Sequence, residues 1–262
     1  MKLPTHLPFA VIIPACDEEA CIGAVLDELA TVLDPEKFVV AVGVNDSTDR
    51  TAAIARARGV LVGETSRRGY GHGCMAAIDL VTRSAPEVRG YIFMAGDGAS
   101  DPRDIAGLVG AYEQGYSFVL GARTSEPGNW RTMHVSHVIA NFLMALWSGL
   151  LAGRWFTDLA PVRLIDRDLF EAIAPREMTF GWTIESQIAA ARLGAAICEV
   201  RAAERPRLAG EQKVSGVTWR RTFNIGCQIL AAGLRTRLRF GRGRPNESRA
   251  AKPLVAQPQR SA

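Results

Sequence analysis

Apolar positions follow two rhythms along the first half of the chain. Phe9–Ile13 and Phe38–Val44 are short, near-continuous apolar runs rich in β-branched residues, the pattern of strands buried on both faces. Between them Ile22, Val25, Leu26, Leu29, Val32 and Leu33 recur at helical spacing. The alternation continues with a helix over Thr51–Arg58, a strand Val60–Val62, a helix Cys74–Val81, a strand Tyr91–Met94, a helix Ile105–Tyr112 and a strand Phe118–Leu120. Such an alternation predicts an α/β fold with a largely parallel sheet covered by helices on both faces. Ligands of such sheets bind beyond the carboxyl ends of the strands, so the loops there are the place to look for chemistry.

The second half predicts a long helix over Ser136–Leu151, shorter helices over Asp168–Ile173 and Ile184–Leu193, and a strand Ile197–Arg201. A polar stretch, Glu204–Gly216, holds Pro206, Gly210 and Gly216 and reads as a mobile loop. A final amphipathic helix is expected over Val217–Leu238. From Gly241 onward the chain is poor in apolar residues and rich in Gly, Pro, Ser and Arg, which predicts a disordered basic tail over 241–262 behind one domain over 1–240.

At 262 residues the chain is long enough to bury the core of one large α/β domain. The five cysteines, Cys16, Cys21, Cys74, Cys198 and Cys227, are odd in number and include no Cys-x-x-Cys pair. That argues against a disulfide framework or a zinc ribbon and fits a reducing, cytoplasmic setting. The first apolar run is too short for a signal peptide and is stopped by Pro14. The stretch Val135–Leu151, which contains His137 and Asn141, falls short of the about 20 apolar residues of a spanning helix. Charge is distributed unevenly. From Arg220 onward ten Arg and Lys residues face one acid, Glu247, a balance of +9 that leaves −5 for the preceding residues of a chain whose net charge is +4. A basic segment of this kind suits anionic lipid headgroups or nucleic acid, or is a solvated tail without a partner. Nothing else in the sequence supports nucleic acid, which is not expected as a partner.

Four loops carry candidate chemistry. Pro14-Ala15-Cys16-Asp17-Glu18-Glu19 follows the first strand; its acids can accept hydrogen bonds from a base or ribose, or favour the N-terminus of the next helix. Asn45-Asp46-Ser47-Thr48-Asp49-Arg50-Thr51 follows the second strand and is equally ordinary capping material. Arg67-Arg68-Gly69-Tyr70-Gly71-His72-Gly73 combines glycines that admit a ligand with arginines that match a phosphate. Its spacing is not that of a dinucleotide fingerprint. Gly96-Asp97-Gly98-Ala99-Ser100-Asp101-Pro102 follows a buried strand. Asp97 there can hold a hard divalent ion that in turn holds a diphosphate. Asp101 before Pro102 reads as a helix cap followed by proline at the first helical position.

Together these loops resemble the inverting family 2 glycosyltransferases of the GT-A fold. The matching pieces are Pro14-Ala15-x-Asp17-Glu18, Asn45-Asp46-Ser47-Thr48-Asp49, Arg68-Gly69, and Gly96-Asp97-Gly98 with Asp101-Pro102. The second half is similar to the branch with dolichyl-phosphate mannose and glucose synthases, through Leu120-Gly121-Ala122-Arg123, Asp158-Leu159-Ala160-Pro161-x-Arg163, Phe180-Gly181-Trp182-Thr183-Ile184-Glu185 and Gly210-Glu211-Gln212-Lys213-Val214-Ser215-Gly216. A looser resemblance is to glucosyl-phosphoglycerate synthases, whose acceptor is soluble. The resemblance covers about Phe9 to Leu234. It implies a Rossmann-like sheet with a nucleotide-sugar half over about 1–125 and an acceptor half over about 126–240. It also implies transfer from a UDP- or GDP-linked sugar, and a polyprenyl phosphate acceptor reached at the inner face of a membrane.

The resemblance implies roles as well. Pro14, Ala15 and Glu18 would line the nucleotide pocket, with Arg68 and Gly98 beside it, and Asn45 or Asp46 would meet the base. Asp97 would hold Mg2+ or Mn2+ on the diphosphate. Arg123, Arg207 and Lys213 would meet phosphates of donor or acceptor, and the Glu204–Gly216 segment, which carries the last two, would be a lid over the site. Glu185 is the candidate base for a hydroxyl acceptor, or a first-turn acid that offsets the helix dipole. The apolar faces of the Val135–Leu151 helix and of the last helix, with Arg220, Arg221, Arg235 and Arg237, lie in a membrane interface or pack into the core. The sequence departs from the family pattern in three places. Ala95 stands where the first acid of Asp-x-Asp is usual, Ala99 replaces a further polar ligand, and the second loop lacks the paired Asp-Asp before Gly-Ser. The two alanines also admit a non-catalytic scaffold.

Overall fold

The computed structural model describes residues 8–126, 129, 135–209 and 219–241, with backbone alone at 135–137 and 219–222. Seven strands form one sheet: β1 (Phe9–Ala15), β2 (Phe38–Asn45), β3 (Leu61–Thr65), β4 (Gly90–Phe93), β5 (Phe118–Ala122), β6 (Arg163–Asp166) and β7 (Ile197–Arg201). Their order is β3-β2-β1-β4-β6-β5-β7. The first four are mutually parallel, β6 runs antiparallel to both β4 and β5, and β7 is parallel to β5.

Eight helices are described: α1 (Ile22–Val32), α2 (Thr51–Ala57), α3 (Tyr70–Ser84), α4 (Ile105–Glu113), α5 (Val135–Ala152), α6 (Arg167–Ile173), α7 (Trp182–Arg192) and α8 (Trp219–Arg239). They cover both faces, because β1 alternates its side chains. Ala10 and Ile12 enter one buried cluster with Ile78 of α3 and Ile184 of α7. Phe9, Val11 and Ile13 enter another with Ile22 and Leu29 of α1 and Leu108 of α4. Each fully buried side chain of this size contributes about 1.5–3 kcal/mol. Helices α5, α7 and α8 pack on one another beside the first cluster. Among the described residues no helix is long and apolar enough to cross a membrane.

Three expectations are corrected. Strand β6 was not anticipated, β3 spans Leu61–Thr65 instead of Val60–Val62, and α3 begins at Tyr70 instead of Cys74. Gly71 and Gly73, which made 69–73 resemble a loop, are required by packing inside this helix, and Gly69 caps it. A Cβ on Gly43 of β2 would stand 1.8 Å from the Gly73 carbonyl oxygen, so strand and helix backbones touch. Of the expected loop Glu204–Gly216, residues up to Ala209 are described, and Glu204 bridges Ser100 in antiparallel fashion. Lys213 and the rest of that loop lie outside the described residues, as does the expected tail beyond Gly241.

Candidate active site

The parallel pairing of β1 with β2 and β4 places three expected loops side by side at one edge of the sheet. The first two are tied together. The Asp17 carboxylate accepts the Thr48 N–H at 2.8 Å, and the N–H of Asp17 donates to the Ser47 hydroxyl at 2.9 Å. The N–H groups of Glu18 and Glu19 donate to Thr51 Oγ1 at 2.8 Å and to an Asp49 carboxylate oxygen at 2.9 Å. Each loop also carries an aspartate in the left-handed region, Asp17 at φ +49° and Asp46 at φ +54°. Short polar side chains tolerate that conformation better than most, and it marks backbone held in place by its surroundings.

Pro14 and Ala15 are buried at the end of β1, and Asn45 is buried at the end of β2. Asp46 and Arg68 face each other at 4.0 Å with exposed side chains, so an acceptor and a cation flank the mouth. Beyond β4, Asp97 is partly buried. Its Oδ1 accepts the Ala99 N–H at 3.1 Å and its carbonyl accepts the Leu208 N–H at 3.1 Å. Asp101 caps the 3-10 turn Pro102–Asp104, accepting the Arg103 N–H at 2.9 Å, as expected.

The segment after β7 lies across the Asp97 turn like a strap. The Ala203 N–H donates to buried Asp104 at 2.7 Å, Arg205 pairs with Glu28 of α1 at 2.8 Å, and the Cys21 thiol donates to the Ala209 carbonyl at 3.1 Å. The Leu208 side chain covers Gly98, which is at φ +79°. This strap delivers Arg207. Its guanidinium bonds Glu18 and reaches Asp97 at 3.4 Å. Burial works against the charge of Arg207, but Glu18 and Asp97 outweigh it and raise the pKa. Asp97, Glu18 and Arg207, read separately from the sequence, thus converge.

Arg123, expected to meet a phosphate, is held by side chains of three other segments. Its guanidinium is engaged by fully buried Asp158 at 2.9 and 3.0 Å, by Asn141 of α5 at 3.4 Å and by Glu204 at 3.5 Å. Burial opposes its charge, yet Asp158 and Glu204 raise its pKa. To meet a phosphate, Arg123 would first give up Glu204, its longest contact. Burial raises the Glu204 carboxyl pKa, with Arg123 opposing. Sequence reasoning assigned no role to Asp158 or Glu204. The available signal was an acid in the Asp158-Leu159-Ala160-Pro161 motif and another just past the last strand.

Glu185 is placed elsewhere. It is 2% exposed in the first turn of α7, and its carboxylate accepts the N–H groups of Arg176 at 2.9 Å and Glu177 at 2.8 Å and the Arg239 guanidinium at 3.2 Å. None of these partners belongs to the edge that holds Asp97. These contacts fix the segment before α7 and match the second of its two expected roles, a first-turn acid. A cavity of about 500 Å³ also opens between α3 and the outer strand β3, lined by Glu64, Arg67, His72 and Asp79. It includes none of the residues gathered around Asp97.

The site fits a divalent cation in one specific sense. Two carboxylates at the edge of the sheet already share one positive group, the Arg207 guanidinium. Among the described residues no three His, Cys, Asp or Glu side chains converge to hold a metal. Any ion here would draw the remainder of its oxygens from phosphates and water, the usual habit of Mg2+.

Comparison with known proteins gives matching results. A family model described as glycosyl transferase family 2 matches residues 10–173. An uncharacterised glycosyltransferase of Mycobacterium tuberculosis is 28% identical over 208 residues, 79% of this chain and 89% of the relative. A dolichyl-phosphate hexose transferase of Haloferax volcanii is 30% identical over 232 residues, 88% of this chain and 96% of the relative. Among solved structures, glucosyl-3-phosphoglycerate synthase from Mycobacterium tuberculosis in complex with UDP has a TM-score of 0.66 at 22% identity, covering 88% of this chain and 80% of that one. Its complex with Mn2+, UDP and phosphoglyceric acid has a TM-score of 0.66 at 20% identity, covering 88% and 78%. At that identity the likeness establishes the fold, which is the GT-A fold expected.

Proposed function

Because the chain belongs to glycosyltransferase family 2, we propose that it transfers a hexose, with inversion, from a UDP- or GDP-linked donor to a polyprenyl phosphate. The observation that carries this reading is the convergence of Asp97, Glu18 and Arg207 at the carboxyl edge of the sheet. Bound Mg2+ or Mn2+ would be held by Asp97 with the diphosphate oxygens, and would supply positive charge where the leaving group gains negative charge. Pro14 and Ala15 wall the nucleotide, and Asn45 or Asp46 reads the base. Arg207 and Arg68, with Lys213, contribute further positive charge to the phosphates. The strap carrying Arg207 and Leu208 excludes water over Gly98. A phosphate acceptor is already an anion and needs no general base, which agrees with the structural contacts of Glu185.

The lipid acceptor is supported by α5. One side of this helix presents Asn141 to Arg123. Its exposed side carries Ile139, Phe142, Leu143 and Leu150, each more than half exposed. A lipid whose phosphate enters the site would lay its chain along that stripe, with the protein held peripherally on the cytoplasmic face of the membrane. The relative from Haloferax volcanii is named for a dolichyl-phosphate acceptor. A second reading, a soluble phosphorylated acceptor, is favoured by the fold likeness to a synthase crystallised with phosphoglyceric acid.

The test incubates the full chain and Mn2+ with UDP- or GDP-linked radiolabelled hexose and either a polyprenyl phosphate in detergent or 3-phosphoglycerate. Label extracted into organic solvent is the expected result. Label that stays in a new anionic, water-soluble product would move the assignment to the second reading. No transfer to either acceptor, with nucleotide still bound, would point to the scaffold.

A further inference from the structure

Ala95 leaves the cation site one carboxylate short of the family pattern, and the fold places another within reach. Strands β1 and β4 pair in parallel with Ile12 opposite Phe93, so the loops that leave them are neighbours. Glu18 lies just past β1 and Asp97 just past β4. The backbone of Glu18 is fixed from both sides: its N–H donates to Thr51 at 2.8 Å, and its carbonyl accepts the N–H groups of Cys21 at 3.0 Å and Ile22 at 2.8 Å. Its side chain is 10% exposed, and a carboxylate that deeply placed needs a positive partner. That partner is Arg207, which also faces Asp97 at 3.4 Å.

We infer that Glu18 is the second carboxylate of the cation site and that Arg207 is its exchangeable occupant. This rests on the metal-dependent transferase reading. The two carboxylates belong to loops rooted in the sheet, whereas Arg207 rides on the strap. A diphosphate offers the planar guanidinium a bidentate partner, which allows Arg207 to leave the carboxylates. Glu18 and Asp97 are then available together to a divalent ion, which with phosphate oxygens and water completes an oxygen shell. Without nucleotide, Arg207 and the ion compete for the same two groups. Arg207 therefore guards the site against metal that arrives without its donor.

The test measures Mn2+ binding to the full chain without nucleotide, by the loss of the free Mn2+ electron paramagnetic resonance signal. Arg207→Ala is expected to bind Mn2+ about tenfold more tightly than the parent, the ratio set by about 1.4 kcal/mol. Adding Glu18→Gln to Arg207→Ala removes that gain, and Arg207→Lys, which keeps the charge, shows none. Circular dichroism melts confirm that each variant is folded. Unchanged affinity in Arg207→Ala overturns the exchange. A gain that survives Glu18→Gln but disappears with Asp97→Asn overturns the role of Glu18 and leaves the transferase reading intact. A gain that survives Asp97→Asn overturns both.

Discussion

Removing Asp158 tests what Arg123 does. Asp158 is fully buried and accepts the Arg123 N–H at 2.7 Å, Nε–H at 3.0 Å and Nη2–H at 2.9 Å. In Asp158→Ala the guanidinium, only 16% exposed, retains Asn141 at 3.4 Å and Glu204 at 3.5 Å. Breaking a buried pair from one side costs about 3–5 kcal/mol. The remaining contact with Glu204 sets the expectation near the lower limit, about 3 kcal/mol. In a domain of this size each kcal/mol moves the melting temperature by about 2–4 °C, so a fall of about 6–12 °C is expected. Urea unfolding gives the free energy and scanning calorimetry the temperature. Asp158→Ala combined with Arg123→Met removes both charges and should recover at least half of the loss. A single variant within about 1 kcal/mol of the parent, or a double variant no more stable than the single, would refute the structural duty of this pair.

Glu185→Gln should transfer sugar at the parental rate; a hundredfold fall in kcat at an unchanged melt would establish it as a base. Glu199→Gln has a pH signature. Burial raises the Glu199 carboxyl pKa, with the Thr157 hydrogen bonds opposing. A group with a raised folded-state pKa stabilises the fold below its unfolded value and loses that contribution as pH rises through the folded value. The Gln variant should therefore melt above the parent at pH 8 and converge with it near the ordinary glutamate pKa, about 4.3; melts that stay apart at low pH contradict this. Gly98→Ala places a Cβ at φ +79° and 2.4 Å from Leu208 Cδ1. It should cost about 1–2 kcal/mol and weaken nucleotide retention measured by equilibrium dialysis; an unchanged melt would refute the tight seating of the strap.

The strands of the first half were legible because burial on both faces writes continuous apolar runs such as Ile12–Ile13 and Val39–Val44. Strand β6 was not, because Arg163-Leu164-Ile165-Asp166 is four residues long and its ends are charged. The start of α3 was hidden because Gly71 and Gly73 answer to distant neighbours: a Cβ on Gly71 would meet Trp182 at 2.5 Å, and one on Gly73 would meet Asn45 at 2.8 Å. At the site, Asp97 and Glu18 could be read from their places after strands. The contact of Arg207 with both arises from a strap 189 residues beyond Glu18 and 110 beyond Asp97, and no local pattern encodes it. Glu185 kept two readings because an acid in a motif and an acid in a first helical turn look alike in sequence. Its contacts with Arg176, Glu177 and Arg239 come from segments that no local pattern joins to it.

The most direct measurement is a thermal-shift titration of the parent chain and Asp97→Asn with UDP and GDP, in Mn2+ and in EDTA. A ligand that binds only the folded state adds about 2.7 kcal/mol at a hundred times its Kd. If Asp97 holds a cation on a bound diphosphate, one nucleotide raises the parent's melting temperature in Mn2+ and not in EDTA, and Asp97→Asn shows no such rise. An equal, Mn2+-dependent rise in Asp97→Asn would contradict that claim.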